Sequence, residues 1–478
     1  MVVMNSGTKK DKTKKAYTGH NLLTYYGKPI KEYHGEGILT EKDGSEMRCK
    51  FEAGQLTDGS ILLLCDFLPP FRYSFQIEPV SFKGKTTEGF SIWNNRFLYE
   101  VGYLPNLPTD SDFSIMAAFH LQELVVQFQE GQNDVISFGI TNFEFIGIKP
   151  NDSGTLSLPL NLSNSGKLEI QPTHDYNRAI NRLHTLKNIE ITCEAFANLK
   201  SAKYIYQIED IIGNLCYLMS VARGTKIQWI YYNLYNSNGK LLKMVHSARI
   251  TKRYCPLSII DPRVSGIEET KNFLEKAYPV YMEKREPYKL DKGMIDAYLD
   301  AKAENDFMQL RGVKLTVAME MLKTIFTQLP NVNMKQYIIS KDTFGKLIIP
   351  LQNNIKPVLQ DKVDKENRGA IYKNINALNR TSFADLLLKL CDNVNLKTTK
   401  EDVKLFVECR NKLIHEGQFY CLSATPEEIK NCKPLPTSTN EYFFLLNFVD
   451  KIFLKLFGYS GSYIDWSKPG KPERERLF

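Results

Sequence analysis

The apolar pattern changes its period near residue 293, and that change limits the folds open to the chain more than any other feature. Before it, apolar residues come in short stretches such as Ser60 to Phe67, Ser91 to Tyr103 and Val135 to Ile148, bounded by Gly, Pro, Asn and Asp. That is the pattern of strands and turns. Phe, Tyr, Ile and Val are frequent from Leu22 to Leu160, as a half-buried sheet surface requires. After it, Leu315, Ala318, Met319, Leu322, Ile325, Phe326 and Leu329 form one stripe at helical spacing, ended by Pro330. The expected fold class is α+β and multidomain, with a β-rich N-terminal region, a mixed α/β middle and an all-α C-terminal bundle. A chain of 478 residues is long enough for two or three such cores.

The expected divisions are a basic flexible tail (1–20), a β-rich domain (21–160, sandwich or open barrel), a mixed α/β part (161–255), a connector (256–292) and a helical domain (293–478). Within the mixed part, Lys187 to Phe196 reads as a strand. Gln207 to Ala222 reads as a buried helix closed by Gly224. Two further strands, Lys226 to Tyr235 and Lys240 to Thr251, flank a turn at Asn238-Gly239. Pro256, Pro262, Pro279 and Pro287 mark the connector, with one short helix that Ser265 and Glu268 can open as a capping box. In the helical domain, helices are expected from the 315–329 stripe, from Ser382 to Leu390, from Thr398 to near Gly417, and from Ser438 to Gly458. Glu401 and Glu441 stand three residues after Thr398 and Ser438, where a capping box places an acid. Four amphipathic helices with modest connections make a bundle.

No apolar run approaches the length of a membrane span, because Asp66 and Pro69 interrupt one candidate and Asn447, Asp450, Lys451 and Lys455 another. Lys9 to Lys15 is lysine-rich but no apolar stretch follows it, which argues against a secretory signal and for a cytoplasmic protein. Nine cysteines without a CxxC pair argue against a disulfide framework. Cys409, His415, Cys421 and Cys432 fall in one stretch, but not in the close pairs typical of zinc. A net charge of +8 suits an anionic partner without selecting one. No GxxxxGK[ST] loop is present, which excludes nucleotide hydrolysis by that route.

One constellation carries chemistry: Arg410-Asn411-Lys412-Leu413-Ile414-His415, at the end of the third expected helix. Val403, Phe406 and Val407 set the buried face, and Arg410 and Ile414 are expected to continue it. A buried arginine is costly, so Arg410 should meet an acidic partner or a second subunit. His415 sits where the helix dipole favours its protonated form. This set suits RNA cleavage without a metal. A histidine can serve as base or acid, and an arginine can hold the phosphate and stabilise its added charge. Asn411 can orient the phosphate or the imidazole, and Lys412 is the candidate RNA-binding cation. Spacing alone also allows a second reading, in which the arginine makes an internal salt bridge and the histidine caps carbonyls.

The stretch Glu408-Cys409-Arg410-Asn411-Lys412-Leu413-Ile414-His415-Glu416-Gly417 resembles the active-site motif of HEPN domains. The layout of a large N-terminal region before the bundle, with a helix, a glycine and a strand pair at Tyr206 to Thr251, is similar to the ApeA-like group. The resemblance implies a HEPN bundle and a homodimer formed through it, with two motifs facing one cleft. It also implies metal-independent endoribonuclease activity without a cofactor, on tRNA or other structured RNA, in abortive anti-phage defence with a phage-derived trigger. A related branch is modified on a tyrosine just after the histidine. Here the nearest is Tyr420, behind Glu416-Gly417, which argues against silencing of that kind. The competing expectation is a non-catalytic sensor whose bundle only dimerises and holds RNA or another ligand. Of the other candidates, His174-Asp175 reads as surface chemistry, His34 with Glu32 and Glu36 as a solvated segment, and around His120 the sequence shows no recognisable catalytic partner set. Trp229 to Tyr232 reads as sheet core rather than a base-stacking platform.

Overall fold

A computed structural model of the chain describes residues 22–68, 79–103, 115–145, 156–162, 167–186, 189–199, 204–249, 251, 257–261, 266–290, 293–304, 306–330, 332, 334–467 and 473–477. The expected 1–20 tail lies outside them. The first half opens with α1 (Leu22–Tyr26) and nine strands: β1 (Pro29–Glu41), β2 (Glu46–Leu56), β3 (Ile61–Phe67), β4 (Pro79–Thr86), β5 (Ser91–Asn94), β6 (Phe97–Tyr103), β7 (Ile115–Leu121), β8 (Glu123–Gln127) and β9 (Val135–Thr141). Then come β10 (Leu158–Asn161), β11 (Lys167–Pro172), α2 (Tyr176–Leu186), β12 (Ile191–Asn198), α3 (Ile205–Arg223), β13 (Trp229–Tyr235) and β14 (Leu241–Ser247).

All fourteen strands join one antiparallel sheet in the order β10-β11-β12-β9-β13-β14-β8-β5-β4-β1-β2-β3-β7-β6. β7 and β8 stand six positions apart in that order, yet the single residue Gln122 connects them. The sheet between them therefore has to curl into an open barrel. Its interior is apolar, with Phe51, Leu63, Phe82, Phe119 and Val126 in one buried cluster. The sheet also runs across residue 160, because β9 pairs with β12 on one side and with β13 on the other. Trp229 and Ile230 are buried within β13, so this aromatic stretch belongs to the sheet core.

α3 covers the β9 and β13 end of the sheet with Ile212, Leu215, Met219 and Ala222. Gly224 ends it at φ +65°, and a Cβ there would stand 2.0 Å from the carbonyl oxygen of Leu257, so only glycine fits. The expected connector is different in kind. Its helix is α4 (Ile267–Lys284), 18 residues long, with Phe273, Leu274, Ala277, Tyr278 and Tyr281 buried. Pro279 lies inside it on an exposed position, so the proline punctuation that suggested a loop did not break the helix. Gly266 is its N-cap without a side-chain cap, and Ser265 falls outside the described residues.

The helical half continues with α5 (Met294–Asp300), α6 (Met308–Gln328), α7 (Lys341–Lys362), α8 (Lys365–Ala377), α9 (Phe383–Asn393), α10 (Lys400–Glu416), α11 (Tyr420–Ser423), α12 (Pro426–Asn431) and α13 (Ser438–Leu456). A final hairpin follows, β15 (Ser462–Asp465) with β16 (Glu473–Arg476). α6, α9, α10 and α13 are the expected bundle helices. Leu315, Met319 and Leu322 of α6 meet Leu387 of α9, Phe406 of α10 and Leu445, Val449 and Ile452 of α13 in one apolar core, which is continuous with the core under α3. At its centre Lys302 and Asp450, both fully buried, pair at 3.0 Å, and the Tyr298 hydroxyl donates to the same carboxylate. Among the described residues no helix is long and apolar enough to cross a membrane.

Candidate active site

α10 starts one residue later than its expected capping box. Thr399 is the N-cap, its hydroxyl accepting from the Asp402 N–H at 3.0 Å while the Asp402 carboxylate accepts from the Thr399 N–H. Gly417 ends the helix at φ +68°, the left-handed conformation that a glycine cap supplies. The buried face is Val403, Phe406, Cys409 and Leu413. That corrects the expected line through Arg410 and Ile414. Steps of three, three and four residues drift round the helix, leaving Arg410 at the edge of the face and Ile414 38% exposed.

Arg410 meets the acidic partner that burial requires. Its Nη2 donates to Glu320 Oε1 of α6 at 2.5 Å and its Nη1 to Asn411 Oδ1 at 2.8 Å. The guanidinium carbon lies 5.1 Å from the centre of the Phe383 ring, at the start of α9. Lys323 shares both partners: its ammonium donates to Glu320 Oε2 at 2.6 Å and sits 5.2 Å from the Phe383 ring centre. One carboxylate thus faces two cations on one aromatic ring, and the cluster keeps a net positive charge. The Arg410 side chain remains 19% exposed, so water and an anion can reach it. Glu320, Lys323 and Phe383 were not singled out from the sequence. Their only signal is an ordinary Glu-x-x-Lys step and a first-turn aromatic.

His415 lies exposed in the last turn. Five residues of α-helix place it about 140° round the axis from Arg410 and about 7.5 Å along it. One chain therefore joins Arg410 to Asn411 but holds His415 on another face. Lys412 is 8% exposed and its ammonium is taken by Glu416 at 2.8 Å and Glu428 at 3.1 Å. The hydrogen bond to Glu416 leads in raising its pKa. It fastens α10 to α12 and is not presented to solvent as an RNA contact.

Beyond Gly417 the chain is pinned. Tyr420 is buried, its hydroxyl donating to the Cys432 carbonyl at 2.7 Å. The buried Glu441 of α13 accepts from the Cys421 N–H at 2.6 Å, and burial pushes its carboxyl up to about 7. Thr437 is the N-cap of α13 and pairs with Asn440, so Glu441 does not complete the box expected of it. Among the described residues no three His, Cys, Asp or Glu side chains are grouped to hold a metal; Cys409 is buried while His415 is exposed. His174 and Asp175 stand 3.5 Å apart, both exposed, and His34 lies 3.6 Å from Glu32. His120 is half-buried, and burial lowers its pKa.

No family model matches the chain, and neither a curated protein nor a solved structure is similar to it.

Proposed function

We propose that the chain is a metal-independent endoribonuclease of the HEPN kind, with Arg410 and His415 as its catalytic pair and Asn411 orienting Arg410. The observation that carries this reading is the half-buried Arg410, fixed by Glu320 and Phe383, on the same helix as an exposed imidazole in its last turn. The ribose 2′-hydroxyl attacks the adjacent phosphorus as a base takes its proton. The 5′-oxygen leaves with a proton from an acid. Histidine supplies the proton transfers and arginine stabilises the pentacoordinate phosphate. The products are a 2′,3′-cyclic phosphate and a 5′-hydroxyl.

Arg410 and His415 on one helix face different directions, so the arrangement that fits is a homodimer in which two α10 helices flank one phosphate. Structured RNA such as tRNA is the proposed substrate and abortive anti-phage defence in the cytoplasm the proposed setting, with a phage-derived trigger acting through the N-terminal half. One observation favours a second reading: Glu320 already neutralises Arg410, as in a structural salt bridge. On that reading the bundle dimerises and binds RNA without cutting it.

The experiment compares RNA from phage-challenged cells expressing the wild type or His415→Ala, mapping 2′,3′-cyclic phosphate ends, then repeats cleavage with purified protein in EDTA. Cleavage that survives EDTA and disappears with His415→Ala is expected. Identical RNA from both strains across several phages would replace the nuclease with the binding module.

A further inference from the structure

Between α6 and α9 the chain leaves the bundle as an arm of two helices, α7 and α8, on a hydrogen-bonded neck. The Ile338 N–H donates to the Asn379 carbonyl at 2.9 Å and the Thr381 N–H to the Gln336 carbonyl at 3.0 Å. The buried Asn379 side chain closes the neck, accepting from the Ile339 N–H at 3.0 Å and donating to the Ile339 carbonyl at 2.9 Å. Arg368 ties the two helices together by donating to the carbonyls of Leu359, Gln360 and Val363 that end α7. Ile348 and Leu359 are the buried residues of α7, so most of the arm's surface faces solvent.

That surface is basic. Residues 340–380 hold eight Lys and Arg against four Asp and Glu, an excess of four in a chain whose net charge is +8. Lys341, Lys346, Lys356, Lys362, Lys365 and Lys373 are all exposed, and among the described residues none of them forms an ion pair. α7 has 22 residues, which makes it a rod about 33 Å long. The arm is rooted at the candidate active site: α6, on its N-terminal side, carries Glu320 and Lys323, and Phe383, just beyond the neck, carries the ring against Arg410.

We infer that the 340–378 arm is an RNA-docking surface, holding the phosphate backbone of a structured RNA along α7 and α8 so that the strand passes the Arg410 cluster. The inference rests on RNA being the substrate and adds where it is held. Exposed cations without ion pairs, distributed round a solvent-facing rod, neutralise phosphates and release their counterions, which gives affinity without base recognition. A second copy of the arm carries the same charge and repels it. A polyanion is the partner its charge fits, although Leu347, Leu351 and Val358 are also exposed.

The test uses the full chain in a His415→Ala background, so that cleavage does not interfere, with Lys346→Gln, Lys356→Gln, Lys362→Gln and Lys373→Gln combined. These side chains are exposed, and far-UV CD checks that the fold is kept. Binding of a fluorescein-labelled 24-base-pair RNA hairpin is followed by anisotropy from 50 to 200 mM KCl. The quadruple variant is expected to bind at least about tenfold more weakly at 100 mM, with the slope of log K against log salt smaller by about 3. Equal affinity and slope in both proteins would overturn the inference. So would a loss confined to phosphatidylserine vesicles, or a change of oligomeric state with RNA binding intact. Arm-dependent RNA binding without cleavage by the parent chain would keep the arm and remove the nuclease; cleavage with arm-independent binding would do the reverse.

Discussion

Replacing Glu441 with Gln isolates a buried carboxyl that ties the segment just after the candidate catalytic helix to α13. The Glu441 carboxylate accepts the Cys421 N–H, four residues past Gly417, and burial raises its pKa from 4.5 to about 7. The folded chain therefore holds a proton that the unfolded chain has released between about pH 4.5 and 7. By linkage, the stability present at low pH falls as pH rises through that window, by about 1.4 kcal/mol per unit and roughly 3 kcal/mol in all. The thiols facing Glu441 do not offset this, because burial raises Cys409, Cys421 and Cys432 as well and keeps them neutral. Glutamine keeps a carbonyl oxygen for the Cys421 N–H and removes the titration. In urea unfolding followed by far-UV CD, Glu441→Gln should gain about 3 kcal/mol on the wild type between pH 4.5 and 8. Hydrogen exchange of the peptide 417–424 should slow with it at pH 8. Parallel stability curves for the two proteins across that range would refute the reasoning.

Two further outcomes follow from buried groups. His246 is fully buried between the Tyr33 hydroxyl and Gln55 Oε1, each at 2.9 Å, and burial lowers its pKa to about 3. Because the unfolded imidazole titrates near 6.5, stability present above that pH should fall by about 1.4 kcal/mol per unit as pH drops toward 3; His246→Gln should flatten this slope in urea melts at pH 4 and 6.5. Asp450→Ala strips the carboxylate from the fully buried Lys302 and should cost about 3–5 kcal/mol, most of it recovered by Lys302→Met combined with Asp450→Leu. Equal unfolding midpoints for Asp450→Ala and wild type would contradict the second.

Where local chemistry dictates structure, the sequence was informative. The Asn238-Gly239 turn marked β13 and β14, and the apolar stripes of α6, α9, α10 and α13 located the bundle. Pairing between distant strands has no local signature. Nothing in Ser137 to Ile140 says that β9 lies between β12 and β13, and only the single residue between β7 and β8 hints at the curl. Proline misled at one place: Pro279 sits on the exposed side of α4, and the helix runs through it. Pro350 and Pro357 likewise take exposed positions inside α7. α7 escaped notice because a helix that buries two residues leaves no stripe to read.

The site was legible to the extent that one residue forces a question. An arginine beside an apolar face needs an anion, and that argument foresaw an acidic partner for Arg410 without identifying Glu320, the single carboxylate of α6, among the other acids of the helical half. The expectation of a simple ion pair was too small in one respect. Lys323 reaches the same carboxylate and the same ring, so Glu320 balances only one of two cations. A neutral pair has no electrostatic call for a further ligand; a cluster with a spare positive charge, partly open to solvent, attracts an anion. The basic arm rooted beside it adds charge of the same sign. Two adjacent features that each carry excess positive charge, one fixed on the bundle and one displayed along a rod, are better matched by one extended polyanion than by two separate counterions.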